Sequence, residues 1–140
     1  MDRNRRFEAI AVCDEATLKR LAERVLGAAS AVHVLREPAP GMVMMQAREP
    51  AQGAAFNLGE VTVAEAEVEI DGQRGYAMCM GRNPARALAG AIVDAGAEAL
   101  PNLRAAIEPH LTEALAADDA RLRARWQRVA GTRVEFDEIP

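Results

Sequence analysis

Residues 64–80 read AEAEVEIDGQRGYAMCM and carry the clearest structural signal in the chain. Apolar residues alternate with glutamates from Ala64 to Ile70, a period of two that predicts a strand with one dry face and one acidic face. The pair Asp71-Gly72 is typical of a two-residue hairpin turn, so a second strand is expected over residues 75–80. These residues therefore predict a β-hairpin at the centre of the fold.

The register of this hairpin determines which side chains share a face. A two-residue turn places Glu69 opposite Arg74, and it puts three large apolar side chains on the glutamate face. A three-residue loop would move the same side chains to the dry face. The Asp-Gly pair favours the first register, which leaves an apolar patch for a partner subunit to cover. The candidate partner interface consists of Tyr76, Met78 and Met80.

Further strands are predicted on either side of this hairpin. Residues 31–36 and 42–48 are strand-like. Between them lie Pro38, Pro40 and Gly41, so we expect a second hairpin with its turn at these three residues. Apolar residues occupy both alternating faces of residues 42–45, as in a strand that is covered on both sides. Residues 49–54 predict a loop, and residues 133–136 predict a short last strand.

Helical spacing of apolar residues predicts helices on both sides of the sheet segments. An amphipathic helix is expected from Asp14 to Gly27, and a shorter helix is expected over residues 5–12. Asn83 and Pro84 are typical of an N-cap and a first helical position, so they predict the start of another helix, which ends near Gly96.

The C-terminal third is helical again from Leu103 onward. Pro109 predicts a helix start or a break, and Gly131 predicts the end. Asp118 and Asp119 interrupt the apolar stripe, which favours two helices, the second with an aspartate N-cap, over one continuous helix. The stripe consists of Leu111, Leu115, Leu122, Trp126 and Val129.

Length and composition limit the fold and the partners. The 140 residues, half of them hydrophobic and 27% charged, predict a single globular domain over residues 1–140. We expect an α+β fold with a small, mostly antiparallel sheet of about four strands, packed with N-terminal and C-terminal helices. The net charge of −4 argues against nucleic acid and anionic membranes as partners. Two cysteines without a disulfide framework, and no apolar segment that spans a bilayer, predict a cytoplasmic protein.

Catalytic and metal-binding patterns are missing from the sequence. His33 and His110 have no partner at the spacing of a metal site, and Cys13 and Cys79 have no CxxC neighbourhood. The phosphate-binding glycine loops and the nucleophile motif of hydrolases are also absent. We therefore predict no catalytic residue and no metal ligand on this chain.

Two arginines are candidate substrate-binding residues. At the strand-to-helix junction, Arg82 precedes a helix N-terminus, where free N–H groups and a guanidinium together suit a phosphate oxygen. Arg48, at the end of the methionine-rich strand, is the second candidate. In the alternative interpretation Gly81 makes a turn and Arg82 is simply solvated. Two charged rows are interpreted as solvated faces: the strand glutamates, which also suit an edge-protecting row, and a helical row, which also suits an acidic partner. The helical row is Arg121, Arg125 and Arg128.

The order and spacing of several short motifs resemble the PhnG family across residues 7–136. The motifs are residues 40–48 (PGMVMMQAR), residues 56–60 (FNLGE) with Thr62, the hairpin described above, Gly81-Arg82, and Ala87, Ala91 and Asp94 in the next helix. The resemblance implies a small subunit of the bacterial carbon–phosphorus lyase machinery. It implies assembly with PhnI, PhnH and PhnJ, and it allows PhnL and PhnK as further partners and a homodimer within the complex.

The resemblance also implies a shared reaction. PhnG, PhnH and PhnI, acting with PhnL, replace the adenine of ATP by an alkylphosphonate, and PhnJ then breaks the carbon–phosphorus bond. The iron–sulfur cluster and S-adenosylmethionine are expected only on PhnJ, ATP is a substrate of the complex, and this chain is expected to bind no cofactor. The family implies no catalytic residue on PhnG. The alternative is a stand-alone small-ligand binding or scaffolding module with its own pocket.

Overall fold

A three-stranded antiparallel sheet and four helices make up residues 1–48 and 53–137, which are the residues that a computed structural model describes. The strand order is β1-β2-β3. The α+β prediction is confirmed, with three strands in place of about four. The elements are α1 (Arg3–Val12), α2 (Glu15–Ala28), β1 (Val32–Arg48), β2 (Ala55–Ile70), β3 (Gln73–Met80), α3 (Pro84–Ala99) and α4 (Pro101–Asp137).

The β2–β3 hairpin has the predicted two-residue turn. Ile70 pairs with Gln73, and Glu69 pairs with Arg74. Asp71 has a φ of +48° and Gly72 has a φ of +85°, the left-handed values that this turn requires. The Asp71 carboxylate also accepts hydrogen bonds from the backbone N–H groups of residues 30 and 31, at 2.9 and 2.8 Å. The turn is therefore tied to the segment that leads into β1.

The dry face of the hairpin packs against α3. Ala64, Ala66, Val68 and Ile70 are each 0% exposed, while the intervening glutamates are partly exposed. Helix α3 begins with the predicted cap, because the Asn83 side chain accepts from the Arg86 N–H at 3.1 Å. Most of α3 is buried, since it contacts the sheet on one side and α2 on the other. The core is thus built around α3.

The predicted β1 hairpin is wrong. Residues 32–48 form one strand that pairs along β2, and its register shifts between Val34 and Ala39. Strand β1 is at the edge of the sheet, where Pro38 and Pro40 are tolerated because one side of the strand needs no N–H donor. The irregular register, and not a turn, therefore accommodates the prolines.

The predicted break in the C-terminal helix is also wrong. Helix α4 is continuous, with Pro109 inside it. Asp118 and Asp119 do not cap a second helix, because their carboxylates pair with Arg121 at 3.3 Å and Arg123 at 2.9 Å within the same helix.

Helix α4 also includes residues 133–136, so the predicted last strand is absent. A strand needs a neighbouring strand for its backbone hydrogen bonds, whereas these residues continue the hydrogen bonding of the helix. Of the predicted loop over residues 49–54, residues 53 and 54 are irregular, and residues 49–52 lie outside the described part of the chain. The helices within the described residues are too short or too polar to cross a bilayer.

Candidate functional site

A buried ion network joins α1 to α3. Arg6 is 0% exposed and Asp94 is 3% exposed. The Arg6 Nε donates to Asp94 Oδ1 at 2.7 Å, and its Nη2 donates to the Glu98 carboxylate. A buried arginine of this kind is stable only when its carboxylate partners are close, so the network fixes the position of α1 on α3.

Asp94 also covers the open edge of β3. Its Oδ2 accepts from the backbone N–H of Tyr76 at 2.9 Å and from Arg3 at 3.3 Å. Arg3 in turn donates to the Arg74 carbonyl on the same strand. Because these bonds occupy the backbone groups that another strand would use, β3 is protected from pairing with a further strand.

Arg6 and Glu98 in this network stay charged at neutral pH. Burial alone would lower the pKa of Arg6, but the hydrogen bonds to Glu98 and Asp94 outweigh burial and raise it. The hydrogen bond from Arg6 lowers the pKa of Glu98. A proton shuttle needs a group that titrates near neutral pH, so Arg6 and Glu98 are suited to holding structure and not to acid–base chemistry.

Acid is expected to weaken this network through Glu98. The folded pKa of Glu98 is below its unfolded value, so its stabilising contribution is complete above the unfolded pKa of about 4.5 and is lost as the pH falls through the folded pKa. We expect the free energy of unfolding to fall between about pH 5 and pH 3, and to fall less steeply in Glu98→Gln. Urea unfolding across this range measures both slopes, with the exposed Glu113→Gln as the control. Equal slopes in Glu98→Gln and the wild type would contradict this role.

The sequence pattern did not identify Arg6 as a site residue, and Asp94 stood out only as part of a family motif. One signal was available, since Arg6 lies on the same helical face as Ala9 and Ile10, which are also buried. An arginine within an apolar stripe indicates a buried ionic partner, although the sequence does not show that the partner is 88 residues away.

The predicted phosphate site at Arg82 is represented in the structure by one exposed arginine side chain. Arg82 is exposed just before α3, and no hydrogen bond or ion pair to it occurs within the described residues. A second arginine near this junction, Arg86, donates to the carbonyls of Ala11 at 3.0 Å and Cys13 at 2.7 Å and so caps the end of α1. The side chain of Arg48 lies outside the described part of the structure. Substrate binding by Arg48 and Arg82 stays a prediction.

The candidate interface residues on β3 share a face with the glutamates, as predicted, but they differ in exposure. Tyr76 is half-buried because its ring stacks on Phe7, with centroids 6.0 Å apart, and its hydroxyl donates to Glu65 at 2.6 Å. Burial raises the pKa of Tyr76 to about 12. Met78 is also half-buried, whereas Met80 is 63% exposed. The exposed part of this patch is therefore centred on Met80.

The glutamate row is not the edge-protecting row that the sequence suggested. It lies on β2, the central strand, and it has charge partners on both neighbours. Glu65 pairs with Arg36 at 3.0 Å on β1, and Glu67 lies 3.8 Å from Arg74 on β3. Cross-strand ion pairs of this kind reinforce the register of the sheet.

A two-stranded extension of the sheet exposes several large apolar side chains. Beyond the end of β3, residues 42–48 of β1 pair with residues 55–62 of β2, and we call this segment the Met-rich ribbon. An isolated pair of strands is marginally stable in water. The prediction that residues 42–45 are covered on both sides is wrong for the chain alone. The large exposed apolar residues of the ribbon are Met42, Met44, Met45, Phe56 and Leu58.

Metal and thiol chemistry find no support in the described residues. They contain no group of three His, Cys, Asp or Glu residues that could hold a metal ion, and both His33 and His110 are exposed. Cys13 and Cys79 are buried free thiols. Burial raises the pKa of Cys13 to about 11 and also raises that of Cys79, which disfavours the reactive thiolate.

The structure defines a small α+β protein with an internal ion network, exposed apolar surfaces and, within its described residues, no cluster of three side chains that could hold a metal ion. A sequence model of the family described as "Phosphonate metabolism protein PhnG" matches residues 1–139. The chain is also 36% identical over 103 residues to a curated relative from Rhizobium meliloti (strain 1021). The chain belongs to the PhnG family.

The relative is named alpha-D-ribose 1-methylphosphonate 5-triphosphate synthase subunit PhnG. The matched region covers 73% of this chain and 65% of the relative, so the chain spans just under two thirds of the relative's length. The resemblance found in the sequence is confirmed at the level of the family.

Proposed function

We propose that this chain is a non-autonomous subunit of a carbon–phosphorus lyase core complex in the cytoplasm. It assembles with PhnI, PhnH and PhnJ, with PhnL and PhnK as further partners. The Met-rich ribbon is the observation that carries this proposal, because it exposes apolar side chains on a pair of strands that has no core of its own. The subunit name of the curated relative supports the same proposal.

The proposed reaction belongs to the complex. PhnI, PhnH and PhnL act with this chain to transfer an alkylphosphonate to the ribose of ATP and release adenine. ATP is bound as a substrate of the complex, and the iron–sulfur cluster and S-adenosylmethionine belong to PhnJ. The contribution of this chain is to stabilise and shape a partner.

Adenine release tests the proposed reaction directly. PhnI, PhnH and PhnL are incubated with ATP and methylphosphonate, with and without this chain, and free adenine is measured by chromatography. We expect release only when this chain is present. Equal release in its absence would contradict the proposed role in the reaction.

The ribbon is expected to be the docking element onto a partner subunit. Met44→Arg places a charge on an exposed apolar side chain, so it should weaken co-purification with PhnI and PhnH by about tenfold or more while the free chain stays folded. Leu26→Arg, on the exposed side of α2, is the matched control and should co-purify like the wild type. Loss of binding in both variants, or in neither, would contradict docking through the ribbon.

A second candidate role is a direct contact with substrate phosphate by Arg82, favoured by its exposed position before α3. In the assembled complex, Arg82→Ala is then expected to lower adenine release by about tenfold or more, with assembly unchanged. Arg24→Ala, which removes an exposed arginine from α2, is the control. Wild-type turnover by an intact Arg82→Ala complex would remove this role and leave the stabilising one.

A further inference from the structure

Within the described residues the sheet has three open edges, and two of them are protected against pairing with a further strand. At the edge of β3, Asp94 and Arg3 occupy backbone groups, as described above. The free side of β2 beyond the end of β3 is irregular, because its pairing with β1 skips Leu58 and because Gly59 has a φ of +145°. A bulge of this kind disrupts the row of hydrogen-bonding groups that an added strand would use.

The third edge is the outer side of β1, and one stretch of it carries no such protection. Prolines, which cannot donate a backbone hydrogen bond, lie at positions 38 and 40. Residues 41–47, which follow, contain neither a proline nor a charged residue. Every one of them is exposed or half-buried, and the three methionines among them are at least 42% exposed. Because sheets usually charge, shorten or cover such an edge, this stretch is suited to pairing with another strand.

The pairing register shows which backbone groups of this stretch point outward. The first N–H group after β3 donates to the Thr62 carbonyl at 2.9 Å, so the backbone groups of Thr62 point toward β3. Backbone groups alternate in direction along a strand, so those of Val61 point toward β1, where Val43 is its paired residue. Met42 and Met44 lie on either side of Val43, and their N–H and C=O groups therefore point away from β2.

We propose that an extended segment of a partner subunit pairs with the outer edge of β1 over residues 41–47 and becomes a fourth strand of the sheet. This inference rests on the proposed function, and it specifies how the Met-rich ribbon docks. The incoming strand forms hydrogen bonds with the outward backbone groups of Met42 and Met44. These main-chain bonds provide affinity, and alternate apolar side chains of the incoming strand pack beside the methionines and provide specificity.

A partner with a hydrophobic core of its own fits this edge better than a second copy of this chain. The ribbon is a pair of strands, and its large apolar residues have no covering layer among the described residues. Pairing two copies edge to edge would produce a four-stranded sheet that still lacks a layer on either face. A strand that is part of a folded partner brings the rest of that partner against the methionines, so the edge and the face are covered together.

Proline at position 42 tests the backbone pairing. Met42→Pro removes one outward N–H group and repeats the two-residue spacing of Pro38 and Pro40, so an edge strand accommodates it. Met42→Ala removes the same side chain but keeps the N–H group, and it is the matched control. We expect Met42→Pro to weaken co-purification with PhnI and PhnH about tenfold more than Met42→Ala does, while the two free chains unfold alike in urea. Equal co-purification of the two variants would overturn the proposal.

Hydrogen exchange in the wild-type chain is a second test that needs no substitution. In the free chain the amides of Met42 and Met44 should exchange with water, whereas the amide of Val43, which points toward β2, is protected. In the complex with PhnI and PhnH, we expect both methionine amides to exchange about tenfold more slowly or less.

The outcomes of the exchange experiment separate this proposal from the proposed function. Unchanged exchange of both methionine amides in an intact complex would overturn strand pairing and leave the proposed function standing. Failure of the complex to form would contradict both. A dimer of the free chain in which these amides are protected would assign the edge to a second copy and would also overturn the proposal.

Discussion

Gly75→Ala is expected to lower the free energy of unfolding by about 3 kcal/mol or more, which is a large fraction of the stability of a domain of this size. A Cβ at position 75 would lie 2.3 Å from the Ala91 carbonyl oxygen and 2.3 Å from the Ala95 nitrogen. Both are backbone atoms of α3, which is held between the sheet and α2. They cannot move aside as a flexible side chain would, so β3 and α3 must separate.

Urea or thermal unfolding measures this loss, and the chain supplies a matched control. Gly27 lies in α2, and a Cβ there meets nothing within 4 Å. Gly27→Ala should therefore keep or raise the stability, by up to about 1 kcal/mol, because alanine is the better helix former. A small loss in Gly75→Ala, comparable with the control, would contradict the close approach of β3 to α3.

Arg6→Ala is expected to cost about 3–5 kcal/mol of unfolding free energy. The substitution leaves Asp94 buried at 3% exposure with only Arg3 and the Tyr76 N–H as donors, and it opens a cavity between α1 and α3. The loss combines an uncompensated buried charge with lost packing.

Two further variants make this test specific. Arg5→Ala removes an exposed arginine from the same helix, whose partner Glu8 is also exposed, and should cost less than about 1 kcal/mol. Arg6→Met retains most of the buried volume but not the charge, so it separates the packing loss from the ionic loss. If Arg6→Ala unfolds like Arg5→Ala in a urea titration, the network does not hold α1 on α3.

The parts of the fold that were predictable depend on local chemistry. The Asp71-Gly72 turn fixes the hairpin register because left-handed φ values at both positions admit few residue pairs. Asn83 and Pro84 fixed the start of α3 for a similar reason, since a cap and its first helical position are adjacent in sequence. Alternation from residue 64 to residue 70 then identified the buried face correctly.

The incorrect predictions concern the prolines of β1 and two aspartates of α4. Pro38 and Pro40 indicate a turn in isolation, but an edge strand with an irregular register accommodates them. Asp118 and Asp119 suggest a helix start, but each finds an arginine within the same helix. The first outcome depends on tertiary context, which the sequence alone does not specify, whereas the second depends on partners three and four residues along the same helix.

The candidate site also contains features that could be predicted from the sequence and features that could not. The exposure of Met80 follows from the hairpin register and was predictable. The ion network was not, because Arg6 and Asp94 are 88 residues apart and no spacing in the sequence links them. Exposure of the Met-rich ribbon was also unpredictable, since the same apolar pattern fits a strand that is covered within its own chain.

The central claim is that this chain is built to be completed by partner subunits, and the mass of the co-expressed complex tests it most directly. This chain is expressed with its cognate PhnI and PhnH, and the eluate is analysed by size exclusion with light scattering. We expect one species that contains all three chains in fixed proportion. A folded chain that elutes without PhnI and PhnH under the same conditions would contradict the claim.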